Sequence, residues 1–288
     1  SLIDKVEVIT SPSAKYDPDG MAGIINIVLK KGKYEGLNGS LKINGKSNEN
    51  AGMGDMNGFT AYGNYKGTKW NLYSSVNLNN RLRIMEGGRQ VTTTYIDPPD
   101  SIEYIDFDFF NNSDRTGSLL KFGVDYSINE HLIVNGEINY DQHLHDGVNT
   151  QTLKLPQPGM KIINDGDFDD NYDLEGFFDI NQTFDNPDRE FNYSMSYDFQ
   201  KDNEYAFLFG DIGVDTTKLY QNINGTNIEL SYKHPLNDKS KVELGYDGKI
   251  NDNTETMNFQ VGDFTGNNTF GYKRSIHGFF LEFDYKLN

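Results

Sequence analysis

FNYSMSYDF, residues 191–199, alternates without a break. Phe191, Tyr193, Met195, Tyr197 and Phe199 fall on one parity, and Asn192, Ser194, Ser196 and Asp198 on the other. Successive side chains of an extended chain point to opposite faces, so the stretch reads as a strand with one aromatic face and one polar face. The same period recurs along the chain. Leu37, Leu41 and Ile43 share a parity, as do Phe59, Ala61 and Tyr65, and then Trp70, Leu72, Val76 and Leu78. It returns in Leu120, Phe122, Val124 and Tyr126, and in Leu132, Val134, Ile138 and Tyr140. Ile228, Leu230 and Tyr232 follow, then Val242, Leu244 and Tyr246, and last Phe279, Leu281, Phe283, Tyr285 and Leu287. With a weaker run around Phe178, Ile180 and Phe184, about ten strands are expected, and no segment holds a helical period.

The connections are of two kinds. KGTK (66–69), INEH (128–131), DNPDRE (185–190) and HPLNDKSK (234–241) are short turns. GGRQVTTTYIDPPDSIEY and GDFTGNN read as long polar loops. Short turns at one end and long loops at the other describe an all-β, antiparallel up-and-down sheet. Alternating segments of roughly ten residues with aromatic girdles are the pattern of a transmembrane β-barrel. Tyr65, Trp70, Tyr126, Tyr232 and Tyr285 stand near the short turns, where one interfacial girdle belongs. A soluble β-sandwich also alternates, but its strands average about five or six residues. On the barrel reading Leu72, Val76, Leu120, Phe122, Val134, Tyr193, Leu230, Leu244, Phe279 and Phe283 face lipid. Asn71, Asn77, Asp125, Asn135, Ser194, Glu229 and Glu243 face a wet lumen.

Composition narrows the function. The 288 residues carry 26 Lys plus Arg against 43 Asp plus Glu, a net charge of −17, which disfavours nucleic acid as a partner. The absence of cysteine removes disulfides, thiolate zinc sites and thiol nucleophiles. Mean hydropathy is −0.67, and no run approaches the roughly 18 apolar residues of a membrane helix. No paired-acid, nucleophile-elbow or phosphate-loop pattern appears, so an enzyme is not expected.

One stretch has a different character. Val6-Glu7-Val8-Ile9 is followed by Pro12-Ser13-Ala14-Lys15-Tyr16, then Gly20, then Ala22-Gly23-Ile24-Ile25-Asn26-Ile27 and Lys30-Lys31. This resembles the last part of the plug domain of TonB-dependent outer-membrane receptors. Asp17 stands where many members have Gly, a variant similar to receptors of Bacteroidetes-type bacteria. NPDRE, LSYKHPLNDKSKVELGY and YKRSIHGFFLEFDYKLN resemble barrel segments of that subgroup. The resemblance implies residues 1–33 as the end of a plug and 34–288 as the first part of an outer-membrane barrel. It also implies that most of the plug, the TonB-binding box and about half of a barrel of some 22 strands lie outside this sequence. It further implies active uptake of a ferric chelate, oligosaccharide or peptide, driven through TonB. The alternative is an outer-membrane porin or adhesin without active transport. Pro12, Tyr16, Gly20, Gly23 and Asn26 are then structural residues of the plug.

Three groups are candidate sites. DQHLHD sets Asp141, His143 and His145 on one strand face with lumen parity, a donor set that suits a transition metal. The ordinary alternative is a pair of hydrated histidines. NDGDFDDNYD (164–173) has the composition of a calcium loop but lacks the Gly and Glu that a helix-loop-helix calcium site requires, so it reads as an acidic outer loop. No cofactor beyond loop calcium is suggested. Arg81 and Arg83 extend the Trp70 strand with lumen parity and suit an anionic substrate; ion pairing with nearby carboxylates is the alternative.

Overall fold

The computed structural model describes residues 3–9, 24–29, 35–46, 56–94, 102–154, 160–210 and 213–286. It contains strands β1 (Ile3–Ile9), β2 (Ile24–Leu29), β3 (Gly36–Lys46), β4 (Met56–Lys66), β5 (Trp70–Thr94) and β6 (Ile102–Ser127). These are followed by β7 (Leu132–Lys154), β8 (Met160–Thr183), β9 (Glu190–Gly210), β10 (Gly213–Asn237), β11 (Ser240–Val261) and β12 (Phe264–Tyr285). Strands β3 to β12 form one ten-stranded sheet in strict chain order, every neighbour antiparallel. Strands β1 and β2 form a separate antiparallel pair, with Asn26 opposite Glu7. Pro12, Tyr16, Gly20 and Gly23 of the plug-like motif lie outside the described residues.

The sheet is a single layer. No described apolar residue is buried, and Leu120, Phe122, Ile138, Phe178 and Leu244 are all exposed. A sandwich would stack two such faces into a core about 10 Å thick; here no described residue covers the apolar face. The register settles which residues share it. Leu72 is opposite Val124, Val124 opposite Gly136, Ile180 opposite Tyr193, Leu230 opposite Tyr246 and Leu244 opposite Leu281. All ten residues expected to face lipid fall on this side. All seven expected to face the lumen fall on the other, tied by pairs such as Asn71–Asp125, Asp125–Asn135 and Glu229–Ser194.

The apolar belt has clear limits. Tyr126 stacks on Trp70 at 3.9 Å near the short turns. There Arg189 donates through Nε to the Tyr232 hydroxyl at 2.8 Å and lies over the Phe184 ring at 4.2 Å. At the other edge Tyr140, Tyr172 and Phe199 form a second aromatic row, with centroids 6.3 and 5.8 Å apart. Beyond it the same parity turns polar at Gln142, Asp170, Lys201, Asn224, Asp252 and Lys273. The outward residues from Leu132 to Tyr140, or from Ile180 to Tyr172, thus span about the 9–11 residues that a tilted strand needs to cross hydrocarbon.

The strands do not stop there, and this corrects the expected loops. Strands β5 to β12 run 21 to 26 residues. At about 3.4 Å per residue and a tilt near 40°, 25 residues rise roughly 65 Å, twice a bilayer core of about 30 Å. GGRQVTTT is the end of β5, and IEY begins β6. Within GDFTGNN only Gly262 and Asp263 turn, with Gly262 at φ 57°, the left-handed conformation a two-residue hairpin uses. The acidic stretch 164–173 is likewise no loop. It is the middle of β8, hydrogen-bonded to β7 on one side and β9 on the other. Alternate acidic residues on one extended strand point to one face instead of wrapping an ion, so no calcium loop exists there.

The short turns stand where expected. Three of them are closed by asparagine: Asn129 Oδ1 accepts the His131 and Leu132 amides at 2.8 and 2.9 Å. Asn186 and Asn237 do the same for Asp188, and for Lys239 and Ser240.

Candidate functional site

The wet face carries a polar network from β4 to β8. Asn64 donates to Asn71 at 2.6 Å, and Asn71 to Asp125 at 2.7 Å. Tyr73 crosses over Gly123 and donates to Glu137 at 2.8 Å, where Lys121 also pairs at 2.8 Å. Such a face satisfies polar groups within a water-filled interior.

From the middle of the belt upward this face divides by charge. On β5 and β6, lumen-facing residues 77–91 and 107–121 contain Arg81, Arg83, Arg89, Arg115 and Lys121 and no carboxylate. Arg81 is directly opposite Arg115, and Arg83 is opposite Ser113. Arg81, Arg83 and Arg115 make no ion pair or hydrogen bond with a described residue. They line one recess of about 270 Å³, closed on its far side by His145 and Asp167. On β8 the same face is acidic, with Asp165, Asp167, Asp169, Asp173 and Glu175, and β9 adds Asp198 opposite Glu175, Asp202 opposite Asn171 and Glu204 opposite Asp169. Burial, then the neighbouring Asp167 carboxylate, pushes the Asp169 carboxyl up from its ordinary range, while His145 and Arg115 pull it down. Burial and the charges of Asp169, Asp202 and Asp167 push Glu204 up likewise. Both groups lie beyond the outward Asp170, outside the span of the belt.

The three residues of DQHLHD do share the lumen face, but they do not act as one group. His143 Nδ1 lies 3.1 Å from Asp141 Oδ1. His145 turns to the next strand, with Nε2 2.8 Å from Asp167 Oδ2 and Nδ1 3.2 Å from the Asp114 carbonyl oxygen. The convergent donor set is therefore His145 with Asp167 and Asp169, whose ligand atoms lie within 4.8 Å of one another. Sequence reasoning picked out Asp167 and Asp169 only within the acidic stretch 164–173 and missed their convergence with His145, because they come from a neighbouring strand. It missed Arg115 for the same reason: a guanidinium 34 positions after Arg81 becomes its neighbour only through the β5–β6 register. A third feature was also missed. Directly above the arginines, Met85, Val91, Phe107 and Phe109 line an apolar recess of about 460 Å³ that shares Asn111 with the first.

A one-layer antiparallel sheet with a lipid belt between two aromatic rows and a polar inner wall is the wall of an outer-membrane β-barrel. Comparison with known proteins agrees: residues 182–288 match the outer membrane protein β-barrel family. Among solved structures, the ferric yersiniabactin uptake receptor FyuA from Yersinia pestis has a TM-score of 0.51 at 11% identity, over 93% of this chain and 47% of that one. The siderophore receptor PiuA from Acinetobacter baumannii has a TM-score of 0.48 at 12% identity, over 100% of this chain and 52% of that one. The chain thus spans about half the length of either receptor. At such identity the first shows a shared fold only. No curated protein sequence matches the chain. The family match thus covers the last strands of the sheet, and the whole sheet has the fold of an outer-membrane β-barrel wall.

Proposed function

We propose that the chain is part of a TonB-dependent outer-membrane receptor that imports a scarce solute, with residues 1–33 as the end of its plug and 34–288 as barrel wall. The carrying observation is the joining of two unlike parts. A separate β1–β2 hairpin, on a plug-like motif of the Bacteroidetes-type subgroup, precedes a ten-stranded wall with a chemically differentiated inner face. The wall has two unpaired edges, β3 and β12, among the described residues. Unpaired backbone groups in hydrocarbon cost several kcal/mol each, which favours a larger closed barrel around the plug. The first structural neighbour is a ferric yersiniabactin uptake receptor; oligosaccharide and peptide cargo fit the fold equally.

In the native host, deleting this gene and deleting TonB should abolish uptake of the same solutes from a limiting medium. Uptake that depends on this gene but survives loss of TonB would overturn active transport and leave a passive porin. Loss of cell attachment with unchanged uptake would leave an adhesin.

A further inference from the structure

We propose that the lumen recess over β5 and β6 recognises an aryl-bearing polyanion, with its acidic groups on Arg81, Arg83 and Arg115 and its ring on Phe107 and Phe109. The claim that this ligand is cargo rests on the uptake-receptor reading; the claim that it binds does not.

Like charges directly opposite each other on a sheet destabilise it. Arg81 and Arg115 nevertheless occupy one register pair, and Arg83 stands two residues along on the same face. Carboxylates are abundant in this chain, yet none on β5 or β6 faces the lumen beside these arginines. The acids flanking the two strands, Asp106, Asp108 and Asp114, are on the outward parity. Three guanidiniums with no ion pair or hydrogen bond to a described residue present planar forks that match carboxylate or phosphate oxygens two at a time. Their cost in the free protein is relieved when an anion enters.

The apolar half of the recess sets the body of the ligand. Phe109 lies across Gly87, where a Cβ would meet its ring at 2.8 Å, so the glycine allows the ring to lie flat against the wall. Arg89, opposite Phe107, adds a fourth cation at the upper rim. Ligand sites of this kind combine an apolar lining with a few placed polar groups. The acidic wall of β8 bounds the site: it repels an anion from Asp167 and Asp169 and confines the acidic groups to β5 and β6. An aliphatic anion would leave the ring half unused, and a neutral aryl compound would leave the arginine half unused. The recess stands in the outer half of the strands, above the belt, open to solute arriving from the side opposite the short turns.

The test is calorimetric binding to the full-length protein in lipid nanodiscs. The probes are benzene-1,3,5-tricarboxylate, citrate and the uncharged benzene-1,3,5-trimethanol. The expected order is aromatic tricarboxylate tightest, citrate weaker, and the triol undetectable. R81A/R83A should weaken both anions by about tenfold or more, the usual loss for a hydrogen bond to a charged group. F109A should weaken the aromatic tricarboxylate and leave citrate unchanged. K273Q, outward-facing and exposed, should change nothing. Affinity of the unaltered protein should also fall steeply with added salt, a result that needs no variant to fold. Equal binding of the triol, salt-independent binding, an R81A/R83A barrel that binds both anions like the parent, or no binding of either anion at millimolar concentration would each overturn the site. Anion binding without TonB-dependent uptake would keep the site and remove the receptor reading.

Discussion

Placing an arginine at Phe178 should separate the two faces of the sheet energetically. Phe178 is outward on β8, inside the belt and one outward position on the short-turn side of its centre at Gly176, between the polar Gln182 at the short-turn edge and the charged Asp170 beyond the upper aromatic row. Its ring meets Tyr193 edge-on at 6.3 Å, and its remaining surface is open to lipid. An arginine at the bilayer midplane of a barrel costs about 2–4 kcal/mol, falling to about 0–1 near the interface. Thr254 is outward and exposed on β11, two positions beyond Asp252, so T254R should cost no more than about 1 kcal/mol. Asn77 lies on the wet face of β5 opposite Leu119, and N77R should also stay within about 1 kcal/mol. The expected gap between F178R and the other two is therefore about 2–3 kcal/mol, roughly 30- to 150-fold in the folding equilibrium. Because F178R also removes ring packing, F178L sets the reference, with an expected cost below about 1.5 kcal/mol. The assay is reversible denaturant unfolding of the full-length protein in lipid vesicles, read by heat-modifiable gel mobility. If N77R cost as much as F178R, the assignment of faces would be wrong.

Other perturbations test single features. G123V drives a side chain into Tyr73, whose ring lies 2.2 Å from a Cβ there, and severs the Tyr73–Glu137 bond; a loss of about 1–3 kcal/mol in the same assay is expected, whereas G136A, with nothing nearer than 3.8 Å, should be close to neutral. N129A strips the acceptor from two turn amides, and a cost of about 0.5–2 kcal/mol, similar to loss of a helix cap, should appear in the denaturation midpoint. Trp70 is the single tryptophan and stacks on Tyr126 at the short-turn edge. Its fluorescence should be quenched more by lipids brominated near the headgroup than by those brominated near the bilayer centre, and the reverse order would displace the lower girdle.

The transmembrane part of each strand was legible because it separates two solvents. Between Leu132 and Tyr140, or Phe191 and Phe199, one face meets lipid and the other water, so the alternation is nearly complete. Above the belt both faces meet water. Asp167, Phe168, Asp169 and Asp170 then follow one another in a strand that no periodicity marks, and 164–173 reads as a loop. The hydrogen-bond ladder, a non-local property, holds that part together. The site was half legible for a related reason. Arg81, Arg83, His143 and His145 could be assigned a face by parity within one strand. Their neighbours Arg115, Asp167 and Asp169 depend on the register of β5 with β6 and of β7 with β8, which no signal within one strand marks.

The central claim is a bilayer-spanning belt bounded by two aromatic rows with a wet inner face, and accessibility along β8 tests it most directly. The chain has no cysteine, so single spin-labelled cysteines can be placed in the full-length protein at 170, 174 and 178 on the outward parity and at 171, 175 and 177 on the inward one. In a reconstituted bilayer, oxygen should reach 178 and 174 better than a water-soluble nickel complex, with the order reversing by 170, and the inward positions should show no oxygen preference. A nickel complex that reaches 178 as readily as 177, or an outward profile with no reversal before 170, would contradict the barrel-wall account.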